Sequence, residues 1–235
     1  ARAAAALGLA HDTLTWTGWD RRGNLQDAAR AARQRLLRAW ARRHGLRAVA
    51  LGHTLDDQAE TVLMRLARGS GVDGLSGMAA RRADGDLIWL RPLLDERRQD
   101  LRDWLTAQAI PWIDDPSNDD PRFDRVRTRR LLAEAADLGI PPEGLSDTAQ
   151  RMTAARQVLG QVAHHAAEAL VTVEAASIRF APGLWDLADD TRWRLIAAAL
   201  CQVSGQPYRP RLSALCAGES ATRAGRAHTV HFCLM

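Results

Sequence analysis

Lysine is absent from this chain: all 32 cationic side chains are arginine. A GC-rich genome accounts for that absence before physics does, but arginine still differs in use, because its planar guanidinium grips phosphate at two points where an ammonium acts as one point charge. Cysteine is scarce, at Cys201, Cys216 and Cys233, and no CxxC pair occurs. An odd number of widely spaced thiols argues against a disulfide framework, a zinc knuckle or an iron–sulfur cluster. Long apolar runs are missing as well. The longest unbroken apolar-and-glycine stretch, residues 3–10, falls far short of the ~20 residues a membrane helix requires. No signal-peptide pattern is visible, and the expected setting is the cytoplasm, away from membranes.

What is present is ordinary in amount and uneven in placement. The 235 residues are 46% apolar and 26% charged, enough to bury a real core and too apolar for a disordered tail. The net charge is only +4, yet residues 21–47 hold nine arginines against one acid, Asp27, and residues 122–130 hold five against one, Asp124. Such clusters suit a polyanionic partner, and they also suit a solvated helix face. Charge alone leaves both open.

Periodicity and punctuation predict the elements. An alanine-rich helical pattern opens the chain and stops at Gly8, and residues 14–19 read as a strand or an extended segment. Asn24 offers a cap for a helix reaching about His44, with Leu25, Ala28, Ala29, Ala32, Leu36, Ala39 and Trp40 as its apolar stripe and Gly45 as its stop. Residues 47–51 read as a short buried strand. Thr54 then caps a helix running to about Arg68, closed by Gly69. Helix, strand and helix with tight glycine punctuation is the pattern of an α/β domain with a parallel sheet. Beyond Gly77 the spacing predicts a strand at 87–90 and a helix over about 95–109. Residues 111–124, with three prolines and five aspartates, read as irregular. A helix near 127–136, a Pro141-Pro142 break, a long helix capped by Ser146 and reaching about Leu170, a strand at 178–180, a helix over 189–201 and a Pro/Arg-rich tail complete the pattern. The expected division is an α/β domain over residues 1–128 and a mainly helical domain over 129–235.

Three segments carry chemistry. In GHTLDDQAET, residues 52–61, Asp57 and Glu60 lie three apart on one helix face, with His53 in the loop that enters it. Thr54 with Asp57 makes a plausible capping box, but three acids and a histidine exceed what capping needs. The segment also follows a strand, where open α/β sheets hold ligands. Paired carboxylates there can hold an ammonium group or a metal ion, or act as a base. In RGSGVDGLSGM, residues 68–78, the glycines allow backbone N–H groups to approach an anion, making Arg68, Gly69 and Gly71 candidate nucleotide contacts. In DPSNDDPRFDRVRTR, residues 115–129, a rigid loop delivers Arg125, Arg127 and Arg129 at alternate positions; a polar linker explains the same pattern.

Taken together, GHTLDDQAETVLMRLARGSGVDGLSGM, the RPLL at residues 91–94 and DPSNDDPRFDRVRTR resemble the tRNA(Ile)-lysidine synthetase family, over roughly residues 7–200. The resemblance implies a partial PP-loop α/β domain, of the adenine nucleotide alpha-hydrolase-like kind, followed by helical parts that hold tRNA. It implies ATP, with Mg2+, activating C2 of the wobble cytidine in a CAU anticodon by adenylation, and free lysine displacing AMP to leave lysidine. His53, Asp57, Glu60 and Arg125 would line the lysine pocket, with Asp57, Glu60 and Arg125 catalytic. Arg30, Arg33, Arg127 and Arg129 would contact tRNA. The family's SGGxDS phosphate loop and its β-loop-α unit have no counterpart in this sequence. The chain is therefore expected to be an N-terminally truncated synthetase, unable by itself to make lysidine. A non-catalytic tRNA-binding remnant is the competing expectation. A tRNA cytidine thiolation enzyme would carry paired CxxC motifs that this chain lacks.

Overall fold

The structure is a computed structural model and describes residues 2–19, 22–23, 25–113, 124–175, 177–206 and 208–235. The expected cap at Asn24 and most of the 111–124 segment, expected to be irregular, lie outside the described residues. The chain falls into two compact units, residues 1–70 with 77–148, and residues 71–76 with 149–235.

The first unit is built on a small mixed sheet. It contains α1 (Arg2–Ala6), α2 (Leu25–Arg43), β1 (Ala48–Ala50), α3 (Leu55–Leu66), β2 (Arg81–Asp84), β3 (Leu87–Leu90), α5 (Arg98–Ala107) and α6 (Asp124–Asp137). In the second unit's 71–76 segment, α4 (Val72–Leu75) is a single turn. The strand order is β1-β3-β2. β1 runs parallel to β3, with Val49 opposite Trp89, and β2 runs antiparallel to β3. Gly85, at φ +62°, makes the turn between β2 and β3 that a side chain would disfavour. β2 was not expected, because an arginine-rich Arg-Arg-Ala-Asp strand lacks the apolar alternation that betrays a half-buried one. Leu87 and Trp89 bury against Ala41, with Leu37, Trp40, Val49 and Leu51 packed around them.

Several expectations are corrected. β1 was read as buried, yet Ala48 and Ala50 are exposed, because the strand lies at the sheet edge. Of the two readings of residues 14–19, a strand or an extended segment, the strand is absent. The buried stripe of α2 holds Ala32 and Ala41, whereas Leu25 and Ala39 are exposed. α7 (Pro142–Leu170) begins at Pro142, not after a Ser146 cap. Proline at a helix start gives up an N–H that has no intrahelical partner anyway, and Ser146 is buried inside the helix.

The second unit gathers the rest of α7, β4 (Val171–Val173), β5 (Ile178–Phe180), α8 (Asp189–Ser204), α9 (Leu212–Arg223), β6 (Thr229–Val230) and β7 (Cys233–Leu234). Its core joins Ala163, Leu184, Leu195, Ile196, Leu200, Leu215, Val230 and Cys233. The Pro/Arg-rich tail, for which the sequence pattern predicted no particular element, forms α9 and a β6–β7 hairpin. Gly218 permits this packing: a Cβ there would stand 2.8 Å from Val230 Cγ2. Beneath the helices, Arg192 bonds Glu219 at 3.0 Å and Trp193 Nε1 donates to the same carboxylate at 2.9 Å. No helix among the described residues is long and apolar enough to cross a membrane.

Candidate functional site

Parallel pairing brings two chain segments out at one edge of the sheet. The chain leaving β1 passes through Gly52 and His53 into α3, while the chain leaving β3 passes straight into Arg91. Arg91 is buried, and its Nε donates to His53 Nδ1 at 3.2 Å while its Nη1 donates to the Ala79 carbonyl at 2.6 Å. This fixes the His53 tautomer with its remaining proton on Nε2. Burial holds the imidazole below its ordinary pKa; nearby Asp57 opposes the shift, and Arg91, Arg125 and Arg33 reinforce it. His53 is therefore neutral at pH 7. Burial also lowers Arg91, with Arg82 and Arg30 adding like-charge repulsion. Arg33, Arg91 and Arg125 thus act electrostatically on His53 from three separate parts of the sequence, and Arg30 acts on Arg91.

The start of α3 is held from three sides. Thr54 Oγ1 accepts from Asp57 N–H, and Thr54 N–H donates back to Asp57 Oδ2 at 2.9 Å, completing the capping box. Asp57 Oδ1 accepts from Arg98 Nη2 at 3.2 Å. Asp56 turns the other way and accepts the Arg98 backbone N–H at 2.7 Å, capping α5, while Leu55 N–H donates to the Glu96 carbonyl at 2.9 Å. Gln58 then pins the glycine-rich segment, its side-chain amide pairing with both backbone groups of Met78 at 2.7 and 3.0 Å. Gly77 makes that approach possible: its φ is +62°, and a Cβ would sit 2.7 Å from Gln58 Oε1.

Glu60, one turn on, is the most confined of the acids, with a side chain only 1% exposed. Its Oε1 accepts from Arg129 Nε at 2.6 Å, and Arg98 Nη2 stands 3.7 Å away. Its Oε2 is buried and has no hydrogen-bond partner among the described residues. Burial raises the carboxyl above its ordinary value, although Arg129 and Arg98 pull it down and Asp57 pushes it further up. A confined carboxylate with an unsatisfied oxygen is an acceptor awaiting a donor, and a raised pKa suits it to take a proton.

The structure therefore gathers His53, Asp57 and Glu60 at one end of the sheet, with the Arg125 charge acting on His53. It places Arg129, expected on RNA, against Glu60. Arg127 is exposed and pairs with Asp124. Arg68, Gly69 and Gly71 are exposed; Gly69 ends α3 at φ +68° and Gly71 stands at the start of α4. Sequence reasoning passed over Arg91, Arg98 and Gln58. The proximity of RPLL to the end of an apolar strand was the available signal for Arg91, whereas Arg98 sits in an arginine pair that reads as an ordinary helix start. Among the described residues no group of three or more His, Cys, Asp or Glu side chains could hold a metal ion.

A family model described as the PP-loop domain matches residues 2–136. The chain belongs to the PP-loop family. It is also similar to curated proteins named tRNA(Ile)-lysidine synthase. That of Ruegeria pomeroyi is 44% identical over 236 aligned positions, covering 100% of this chain and 56% of the relative. That of Anaplasma marginale is 34% identical over 222 positions, 90% of this chain and 46% of the relative. That of Methylobacterium nodulans is 42% identical over 213 positions, 89% and 63% respectively. The chain spans about half the length of the first of these relatives. PP-loop membership accounts for the α/β architecture and the parallel β1–β3 pair.

Proposed function

We propose that this chain is part of a cytoplasmic tRNA(Ile)-lysidine synthase, which joins free lysine to C2 of the wobble cytidine in a CAU anticodon through an adenylated tRNA intermediate. The observation that carries this reading is Glu60, a confined carboxylate with one oxygen satisfied by arginine and the other unsatisfied. The lysine side-chain ammonium is a donor of the right charge for that oxygen, and it must lose a proton before its nitrogen can attack. Glu60 accepts the proton, its raised pKa narrowing the gap to the amine. Asp57 supplies a second negative charge on the same helix face. Neutral His53 offers its Nε2–H without repelling the ammonium. Arg125, with Arg91 behind His53, faces the negative charge that develops on the departing phosphate.

ATP supplies the adenylyl group that makes C2 attackable. The arginines converging on His53 suit its phosphates, and Arg68, Gly69 and Gly71 present an exposed backbone turn for the nucleotide. Mg2+ would arrive on the triphosphate, which matches the cation's habit of keeping phosphate oxygens and water as ligands. For tRNA, the exposed faces carrying Arg30, Arg33 and Arg127 supply contacts from the α/β domain, and residues 129–235 supply the helical part.

The test is a chimera in which this chain replaces the matching segment of the Ruegeria pomeroyi relative. Labelled lysine should enter tRNA(Ile) in an ATP-dependent manner, and Glu60→Gln in the chimera should reduce lysine transfer while sparing tRNA adenylation. A folded chimera that binds tRNA yet transfers no lysine would leave a non-catalytic RNA-binding role as the better account.

A further inference from the structure

The second unit holds a surface that the lysine site does not use. An open cavity of about 480 Å³ is lined by Tyr208, Arg209, Arg211, Ser213 and His231, among others. Tyr208 is 58% exposed and meets the His231 ring edge-on, centroids 5.0 Å apart, and Phe232 beside it is 80% exposed. Solvated aromatic rings grouped in this way leave apolar faces unburied, and the hydrophobic effect gives the fold no reason to keep them there.

The turn that presents two of these rings is also unfavourable locally. His231 and Phe232 stand at φ +54° and +64° between β6 and β7, the two positions of a tight hairpin that normally hold asparagine and glycine. Left-handed backbone brings the Cβ of each of these bulky residues against its own carbonyl and is unfavourable at both. His231 Nε2 is buried without a hydrogen-bond partner among the described residues.

Charge selects the occupant. Residues 205–235 contain four arginines and a single acid, Glu219, which is buried against Arg192. Arg209 pairs with Asp73, whereas Arg211 makes no ion pair among the described residues. Arg211 also stands at the start of the twelve-residue α9, which has no side-chain cap, and Ser213 and Ala214 of its first turn line the same cavity. Positive charge beside exposed π faces is what a nucleotide with an unpaired base recognises: guanidinium for the phosphate, rings for the base.

We propose that the Tyr208–Arg211 segment and the His231–Phe232 turn form a binding site for unpaired nucleotides of RNA, with Arg211 on a phosphate and the aromatic rings stacking on a base. This deepens the proposed function, on which it rests, by assigning the second unit a contact with a looped or single-stranded part of the tRNA.

The test titrates the full chain with a fluorescein-labelled unpaired ten-nucleotide RNA, the same sequence as a duplex, a tRNA(Ile) transcript and phosphatidylserine vesicles. The chain should favour the single strand over the duplex. Phe232→Ala and Arg211→Ala should each weaken single-strand binding about tenfold or more, and Phe232→Trp should retain it. Both side chains are exposed, and unchanged melting temperatures would confirm intact folds. Equal binding by both alanine variants, a preference for duplex or vesicles, or no RNA binding by the parent chain would each overturn the proposal. Lysine transfer by the chimera reads the proposed activity separately, so either reading can fail without the other.

Discussion

At Glu60, burial and ion pairing act in opposite directions, and burial prevails, leaving the carboxyl above its ordinary value of 4.5. The folded state therefore holds this proton more tightly than the unfolded state. The associated stability is fully present below the unfolded value and is lost as pH rises through the higher folded one. Glu219 and Asp73 behave oppositely. Burial would raise both, but Trp193 and then Arg192 and Arg223 hold Glu219 below 4.5, and Arg194 with Arg209 holds Asp73 below 3.8, so their contribution is present above those values and lost as pH falls. Melting temperature against pH should therefore fall on both sides. Glu60→Gln should flatten the alkaline-side decline that begins near the ordinary glutamate value, leaving the acid limb intact. Circular-dichroism melts of both proteins from pH 3 to 8 read this directly, and an unchanged alkaline limb would count against a protonation role for Glu60. Arg129→Ala should be worse for stability than Glu60→Gln, by about 1–3 kcal/mol, because it leaves a confined carboxyl without its main partner. Asp57→Asn in the chimera tests a different division of labour. Loss of the Arg98 pair and half the capping box should cost about 1 kcal/mol of stability. If the carboxylate also grips lysine, the lysine KM should rise about 10- to 150-fold. An unchanged KM would confine Asp57 to capping.

Among the elements, those with strong periodicity or punctuation were legible. The stretch Thr54-Leu55-Asp56-Asp57 predicts a capped helix start, and α3 begins there with its box formed. Gly45 and Gly69 predict helix stops, and both adopt positive φ. The β2 strand and the α9–hairpin tail were not legible, for a shared reason. Arg81 to Asp84 form a strand because β3 is beside them, and the tail folds because Gly218 lets Val230 approach α9. Such partners are fixed by tertiary contact, which local pattern does not encode. The candidate site was legible in part. Spacing groups Asp57 and Glu60, but it could not show that Glu60 would meet Arg129, sixty-nine positions away. Gly77 links element to site, since Gln58 on α3 fastens the glycine-rich segment through the space its missing Cβ leaves. Gly77→Ala should therefore destabilise by about 2–4 kcal/mol, combining left-handed strain with displacement of a buried amide. Gly218→Ala should cost about 1–3 kcal/mol through overpacking, despite alanine's better helix propensity. Urea unfolding of the two variants tests both, and a neutral result at Gly77 would mean the Gln58 amide relaxes freely.

For the whole molecule, a net charge of +4 conceals where the charge lies. Much of it is internally spent: Arg38 and Arg82 on Asp84, Arg42 on Asp86, Arg97 on Glu143, Arg192 on Glu219 and Arg194 on Asp73. What remains for a polyanion is a subset, including the Arg30 and Arg33 face of α2 in one unit and Arg211 in the other. Binding of tRNA should accordingly depend on salt less steeply than the arginine count suggests. With about four phosphate contacts, log K against log salt should have a slope near −3 to −4, at roughly 0.7–0.9 per contact. Arg30→Ala with Arg33→Ala should make that slope shallower by about 1.4–1.8, because two contacts no longer release counterions. Arg38→Ala should leave the slope unchanged, since that cation is already neutralised by Asp84 in the free protein. Filter binding of labelled tRNA(Ile) between 50 and 200 mM salt measures all three. A slope that changes equally for Arg38 and for the Arg30–Arg33 pair would mean that internal ion pairs open on binding, and that the free-protein pairing does not define the RNA contact surface.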